Sequence, residues 1–415
     1  MENSISIPLN LPDIRVVEQH LDNSGNIIIT VKSTQNWCEC QHCKRKTYNI
    51  YCNSNEKILR HTSILGKNTY IRIYPLRFEC PLCAGKATTT QRLSWYEERS
   101  KYTIDYEKHV LLQLVNSTVS DVSIKENIGY DALEGIINRR VGNEVEWDGI
   151  DNLVIIGIDD LSRRKGRGDR IAVVSTRDAH GNVRIIALLK DHKKSTVKEF
   201  FRSIPNRLRK TVRYICTDLY DGFINGAREI FGKKVKIVAD RFHVAKLYRK
   251  SVDELRKNEL KKLENVLPEK EFKEVKKASL LIRKGELDDE EHAQLEKVFE
   301  HSPKLRMGWE LMNSLTDIFN RPLDINQARL EIENWKRQVK RSGLSCFDSF
   351  VVTLKKYKCY ILNYFDGRHS SGFVEGLNNK IRVLFRRCYG LLNLGHLFQR
   401  LTIDLEGYNR FLKYR

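Results

Sequence analysis

The chain has 415 residues, 41% of them hydrophobic, and 73 Lys and Arg against 53 Asp and Glu give a formal charge of +20 with a pI near 9.4. That length accommodates two or three domains with real cores. No run approaches the apolar length of a membrane helix and no signal peptide opens the chain, which predicts a soluble, cytoplasmic protein with no membrane partner. A positive surplus of this size suits a polyanion, most simply nucleic acid, because neutralised phosphates release counterions. An anionic membrane surface is the weaker alternative, since the sequence carries no basic amphipathic anchor.

After a short lead with one strand, GNIIITV (Gly25 to Val31), cysteines dominate. Six of the ten precede residue 84: Cys38, Cys40, Cys43, Cys52, Cys80 and Cys83. Without a secretory signal, such clustering argues for metal rather than disulfides. CECQHC spaces Cys40 and Cys43 as C-x2-C, and FECPLC does the same for Cys80 and Cys83. Two such knuckles separated by strand-like sequence, Thr69 to Phe78, form the pattern of a four-cysteine zinc ribbon, since each turn can aim both thiolates at one tetrahedral Zn²⁺. Cys38 or Cys52 could replace one ligand, and reduced structural cysteines are the bland alternative.

Tyr106 to Val115 is apolar on a helical period. Val119 to Val141 then reads as helix, short turn at Gly129–Tyr130, helix, with Ser120 and Asp131 at N-cap positions. The second helix ends in Asn138, Arg139 and Arg140. This layout is that of a helix-turn-helix whose second helix enters the major groove, although any helical hairpin of a core looks alike.

From Leu153 the texture becomes α/β. LVIIGIDD is a continuous apolar run, expected as a strand buried on both faces, and it ends in Asp159 and Asp160. The basic loop Ser162 to Arg170 follows, with Arg163, Arg164, Lys165 and Arg167 able to hold a phosphate backbone. Arg170 to Thr176 and Val183 to Leu189 form a hairpin through Gly181–Asn182. A helix then opens with Thr196 and Glu199 as a capping box. VRYICTD and KVKIVAD are further strands, ending in Asp218 and Asp240, with a helix from Tyr220 to Phe231 between them. Three strands ending in aspartate imply a shared acidic pocket at one sheet edge, where open α/β sheets place ligands.

Residues 244–360 break this rhythm: they are helical and rich in Lys and Glu, with Trp309 and Trp335 expected in their core. The final signal is HSSGFVEGLNNKIRVLFRRCYG. A helix from Gly372 would align Glu375, Asn379 and Arg382 on one face, a carboxylate among phosphate-binding groups.

Taken together, GIDD, TDLYDGF, ADRFHV, VEGLNNKIR and RRCYG, behind the paired knuckles and the helical hairpin, resemble the DDE transposases of bacterial insertion sequences, in the family named after insertion sequence L-three. The resemblance spans Cys40 to about Leu401. It implies an α/β RNase H-like catalytic domain (149–243 and 361–401) carrying a large all-α insertion (244–360). Before it stand a zinc ribbon (1–95) and a helix-turn-helix (96–148), and after it a tail (402–415). By the family's motifs the catalytic, Mg²⁺-binding carboxylates fall on Asp159, Asp218 and Glu375. Two Mg²⁺ ions, or Mn²⁺ in their place, would stabilise attacking and leaving oxygens during hydrolysis of DNA and strand transfer. DNA ends and target are the implied partners, and a homodimer the implied assembly. A catalytically inactive DNA-binding protein and a nuclease without strand transfer are the rival functions.

Overall fold

In the computed structural model, residues 8–162, 170–177, 181, 183–369, 372–388 and 393–412 are described, with Phe373, Val374 and Glu375 represented by backbone alone. Contacts divide the chain into two units, Met1–Val141 with Ile403–Arg415, and Gly142–Thr402.

The first unit opens with nine strands: β1 (Ile14–Leu21), β2 (Ile27–Ser33), β3 (Cys38–Glu39), β4 (Lys46–Thr47), β5 (Asn49–Asn53), β6 (Lys57–Ile64), β7 (Lys67–Ile73), β8 (Leu76–Glu79) and β9 (Thr88–Thr90). They form a four-stranded sheet in the order β1-β2-β7-β6, a β3-β4 ribbon and a β5-β8-β9 sheet. In β7, Thr69, Ile71 and Ile73 are buried while their neighbours are not, the two-residue period of a strand with one face on a core. Three helices follow, α1 (Ile104–Gln113), α2 (Val119–Glu126) and α3 (Tyr130–Arg140), around Tyr106, Val110, Leu111, Val122, Leu133, Ile136 and Ile137. The helix starts differ from the expected caps. Thr118, not Ser120, accepts the Asp121 N–H and caps α2. Gly129 caps α3 without a side-chain bond, so Asp131 lies inside the helix.

The second unit is built on a five-stranded sheet. Its strands are β10 (Ile155–Ser162), β11 (Arg170–Arg177), β12 (Val183–Leu189), β13 (Tyr214–Thr217) and β14 (Lys236–Ala239), in the order β12-β11-β10-β13-β14. β10, β11 and β12 are antiparallel neighbours, whereas β10, β13 and β14 run parallel. Helices α4 (Lys194–Ser203), α5 (Asn206–Arg209) and α6 (Asp221–Phe231) lie in the connections. α4 begins after Lys193, so Thr196 sits within it rather than at its cap. Instead, the Lys193 N–H bonds to the Asp191 carboxylate.

The strand expected to stop at Asp160 continues to Ser162 because β11 pairs with it that far, Ser162 opposite Arg170. After β14 comes a run of helices: α7 (Arg241–Leu263), α8 (Glu269–Ala278), α9 (Asp289–His301), α10 (Pro303–Asn320), α11 (Ile325–Ser342), α12 (Asp348–Lys356) and α13 (Lys358–Leu362). Their apolar faces join the sheet in one core, where Tyr248, Val252, Leu305, Leu315 and Trp335 are buried with Ile158 and Val238. Trp335 is core, its indole N–H donating to the Leu311 carbonyl at 2.7 Å. α14 (Gly372–Arg387) follows, and α15 (Leu394–Phe411) begins in this unit and ends in residues of the first.

Candidate metal centres

In the first unit, two chain reversals carry the cysteines. Cys40 and Cys43 lie between β3 and β4, Cys80 and Cys83 between β8 and β9. Each knuckle turns through left-handed residues, Lys44 (φ 57°) in the first, Gly85 (φ 74°) and Lys86 (φ 50°) in the second. The Cys40 and Cys83 sulfurs are 3.7 Å apart, as are those of Cys43 and Cys80, and all four lie within 4.8 Å of one another. A disulfide would need about 2.05 Å, whereas tetrahedral Zn–S bonds of about 2.3 Å put sulfurs about 3.8 Å apart. The donor set is compatible with zinc. Backbone N–H groups of Cys43 and His42 aimed at Cys40 pull its thiol down to about 6, which favours the thiolate a metal needs. Cys38 stands outside the group: it is buried, points at the Thr89 carbonyl, and burial holds its thiol up at about 11. Cys52 is exposed.

Asn138, Arg139 and Arg140 end α3, and the two arginines are paired with acids of the same unit. The carboxylate of Glu107, wholly buried, accepts from Arg139 at 2.6 Å and from Arg140 at 2.5 Å. Arg140 also meets Glu97 at 2.9 Å. A buried carboxylate demands such pairing, so these arginines hold the helices together whatever else they touch. Asn138 is exposed.

In the second unit, strand register builds the site. Ile158 pairs with Thr217 and Thr217 with Ala239, so Asp159, Asp218 and Asp240 leave the same edge of the three parallel strands. Their roles then diverge. Asp240 is buried and caps α7, accepting the Phe242 N–H at 3.1 Å. Asp159 and Asp218 converge with His243, one ligand atom from each lying within 4.8 Å of the others. The His243 Nδ1 is 4.0 Å from the Asp218 carboxylate. Burial pushes Asp159 up to about 6, with Asp218 adding to the rise and His243 offsetting it. Burial likewise raises Asp218, assisted by Asp160. Two desolvated carboxylates that resist ionisation are a place where a divalent cation would be welcome.

Asp160, the next residue along β10, takes the other side of the strand and pairs with Arg170. The expected partners Arg163 and Arg164, with Lys165 and Arg167, lie outside the described residues. α14 packs beside β10, and its Asn378, 2% exposed, donates to Asp159 at 2.7 Å. The Asn378 carbonyl oxygen is buried with no partner among the described residues. Glu375 precedes Asn378 by three positions in α14, about one helical turn; its side chain lies outside the described residues. Arg382 is exposed and bonds to Asn379 at 2.9 Å. His243 and Asn378 were not among the residues expected from sequence. For His243 the signal was its place in ADRFHV, three residues after a strand-ending aspartate.

Residues 156–401, more than half of the chain, match a family model described as transposase, of the DDE type named after insertion sequence L-three. The chain belongs to that transposase family. It is 22% identical to the transposase for insertion sequence element IS1001 of Bordetella parapertussis, over 94% of each chain. It is 21% identical to the transposase for insertion sequence element IS1557 of Mycobacterium tuberculosis, over 80% of this chain and 78% of that one. Among the described residues, no helix is long and apolar enough to cross a membrane.

Proposed function

We propose that the chain binds the ends of an insertion sequence, hydrolyses the DNA phosphodiester there and transfers the freed strand to target DNA. The observation that carries this reading is the convergence of Asp159, Asp218 and His243 at one sheet edge, with α14 fastened to Asp159 through Asn378. The antiparallel β12-β11-β10 ribbon continued by parallel β13 and β14 supports an RNase H-like catalytic fold. Glu375 is the proposed third carboxylate, on the helix that Asn378 anchors.

Two Mg²⁺ ions, or Mn²⁺, held by Asp159, Asp218 and Glu375 would supply charge stabilisation at the attacking and leaving oxygens. The chain's own side chains prepare that place. Asp159 accepts the Asn378 amide at 2.7 Å and the Asp160 backbone N–H at 2.8 Å, which fixes its carboxylate plane. Asp218 accepts the Tyr220 N–H at 3.2 Å, so one oxygen is held by backbone while the other faces His243. The imidazole is positioned to bond to or ligate at this edge, and a nitrogen donor there would favour Mn²⁺ over Mg²⁺.

The cysteine group would hold a structural Zn²⁺. The α2–α3 pair, with Asn138, Arg139 and Arg140, and the segment Arg163, Arg164, Lys165 and Arg167 are proposed DNA contacts, as is Arg382. Joining two element ends requires both to be held at once, which a homodimer would do. The deciding experiment is incubation with Mg²⁺ and a labelled duplex bearing the element's terminal repeat. Cleaved ends and joined products are expected; cleavage without joining would reduce the protein to a nuclease, and binding without cleavage to a DNA-binding protein.

A further inference from the structure

α7 leaves the carboxylate site with a cleft along its exposed side. The cavity, of about 440 Å³, has Arg241, Phe242, Lys246, Arg249 and Lys250 in its wall. His243, Lys246 and Lys250 follow one another at i, i+3 and i+7, so they share a helix face and extend about 10 Å from the site along the axis. Lys246, Arg249 and Lys250 are exposed, and Lys250 meets the exposed Glu254 at 3.7 Å, a surface pair weak enough for a phosphate to displace. Arg241 bonds to the neutral Tyr364 hydroxyl and Asn320 amide oxygen and keeps its charge. The acid in the wall, Asp253, is already answered by Arg256 at 2.9 Å and Arg283 at 2.8 Å. Amid these cations Phe242 is 53% exposed, one residue from His243. Cations alone would suit any phosphate. An exposed phenyl ring among them adds an apolar face, which gains most against a base that is itself unstacked.

We infer that this cleft takes the DNA strand running out of the carboxylate site, with Lys246, Arg249 and Lys250 on its phosphates and Phe242 stacked on an unpaired base beside the scissile bond. This rests on the transposase reading above and adds that the duplex is locally opened at the cleavage point. A base inside a duplex has both faces covered, so a ring in the cleft can meet it only after it leaves the stack.

The test uses the full-length protein and a short single strand carrying 2-aminopurine, whose fluorescence falls on stacking, titrated at several salt concentrations. Wild type is expected to quench the probe. Phe242→Ala should abolish the quenching and weaken binding roughly 5- to 100-fold, and Phe242→Trp should restore both. Lys246→Gln with Lys250→Gln should keep the quenching at saturation but flatten the slope of log affinity against log salt by about 1.4. All these side chains are exposed, so thermal unfolding should be unchanged, which separates a lost contact from a lost fold. Unaltered quenching in Phe242→Ala, or an unaltered salt slope in the double variant, overturns the inference. Mg²⁺-dependent cleavage of the element end is read in parallel. If wild type cleaves while Phe242→Ala quenches normally, the inference alone falls; if wild type cleaves nothing, the transposase reading falls and the inference with it.

Discussion

The two candidate metal centres of this chain solve opposite problems. In the first, four sulfurs from two turns close on one another at 3.7 Å, and each turn is set by residues within a few positions of its cysteines. Four sulfurs would fill every coordination position of a tetrahedral ion, the mark of a structural site. In the second, Asp159, Asp218 and His243 arrive from different elements, and burial raises both carboxylates instead of relieving them. Three ligand atoms are grouped there among the described residues, and the proposed chemistry on a phosphate would need positions left for substrate. The closed site should govern whether its unit folds, the open one whether anything is cut.

The sharpest way to break that contrast is to remove a charge from the open site. Asp218→Asn and Asp159→Ala are each expected to lower Mg²⁺-dependent end cleavage by about 10²- to 10³-fold, the scale seen when a group stabilising transition-state charge is deleted. End binding and zinc content should persist. Binding lost together with cleavage would mean that the carboxylates hold the fold rather than the reaction.

Attacking the closed site should do the reverse. Cys43→Ser or exhaustive chelation is expected to remove about one zinc per chain and to unfold the first unit, because structural zinc contributes roughly 10–16 kcal/mol in small modules. Metal analysis with limited proteolysis across residues 8–141 would report it. A folded first unit that carries no zinc would remove the idea.

A smaller effect is expected one step back from the open site. Asn378→Ala deletes the amide that donates to Asp159, and outer partners of ligands typically contribute 10–100-fold in metal affinity or activity. The Mg²⁺ concentration dependence of cleavage should shift, whereas Asn379→Ala should leave it in place. Equal shifts in both variants would place the wrong face of α14 against β10.

These differences follow what a sequence can express. The cysteine pairs were legible because each C-x2-C is local. Apolar runs marked the buried strands that end in Asp159, Asp160, Asp218 and Asp240, while the family's motifs, and not periodicity, singled out Asp159 and Asp218. Asn378 was not legible, because it depends on helix phase. It follows Glu375 by three positions, about 60° around the helix, and the packing of α14 on β10 decides that it reaches Asp159. His243 escaped because a lone histidine near a helix start carries no period. The arginines of α3 read as groove-facing cations, and nothing local revealed that Glu107, some thirty residues earlier, lies buried beneath them. Caps erred for a related reason: Thr118 and Ser120 are both good N-cap residues, and only backbone geometry decides between them.

The smallest expected effect concerns Asp160, and it tests the strand at the centre of the open site. Successive side chains of a strand face opposite ways. Since β10 continues past both aspartates to Ser162, Asp159 and Asp160 cannot both enter the pocket. Asp159 is the one grouped with Asp218 and His243, while Asp160 pairs with Arg170. That arginine is 53% exposed, and such pairs contribute about 0–1 kcal/mol, so Asp160→Ala should barely alter thermal unfolding. Its charge still adds to the field at Asp218, and losing it would weaken attraction for a cation without removing a ligand. Cleavage by Asp160→Ala is therefore expected within about tenfold of wild type, a difference of about 1.4 kcal/mol in the barrier, and higher Mg²⁺ should narrow the gap. A loss as deep as that of Asp159→Ala, unrelieved by metal, would mean that β10 is twisted enough at its end to present both carboxylates to one pocket.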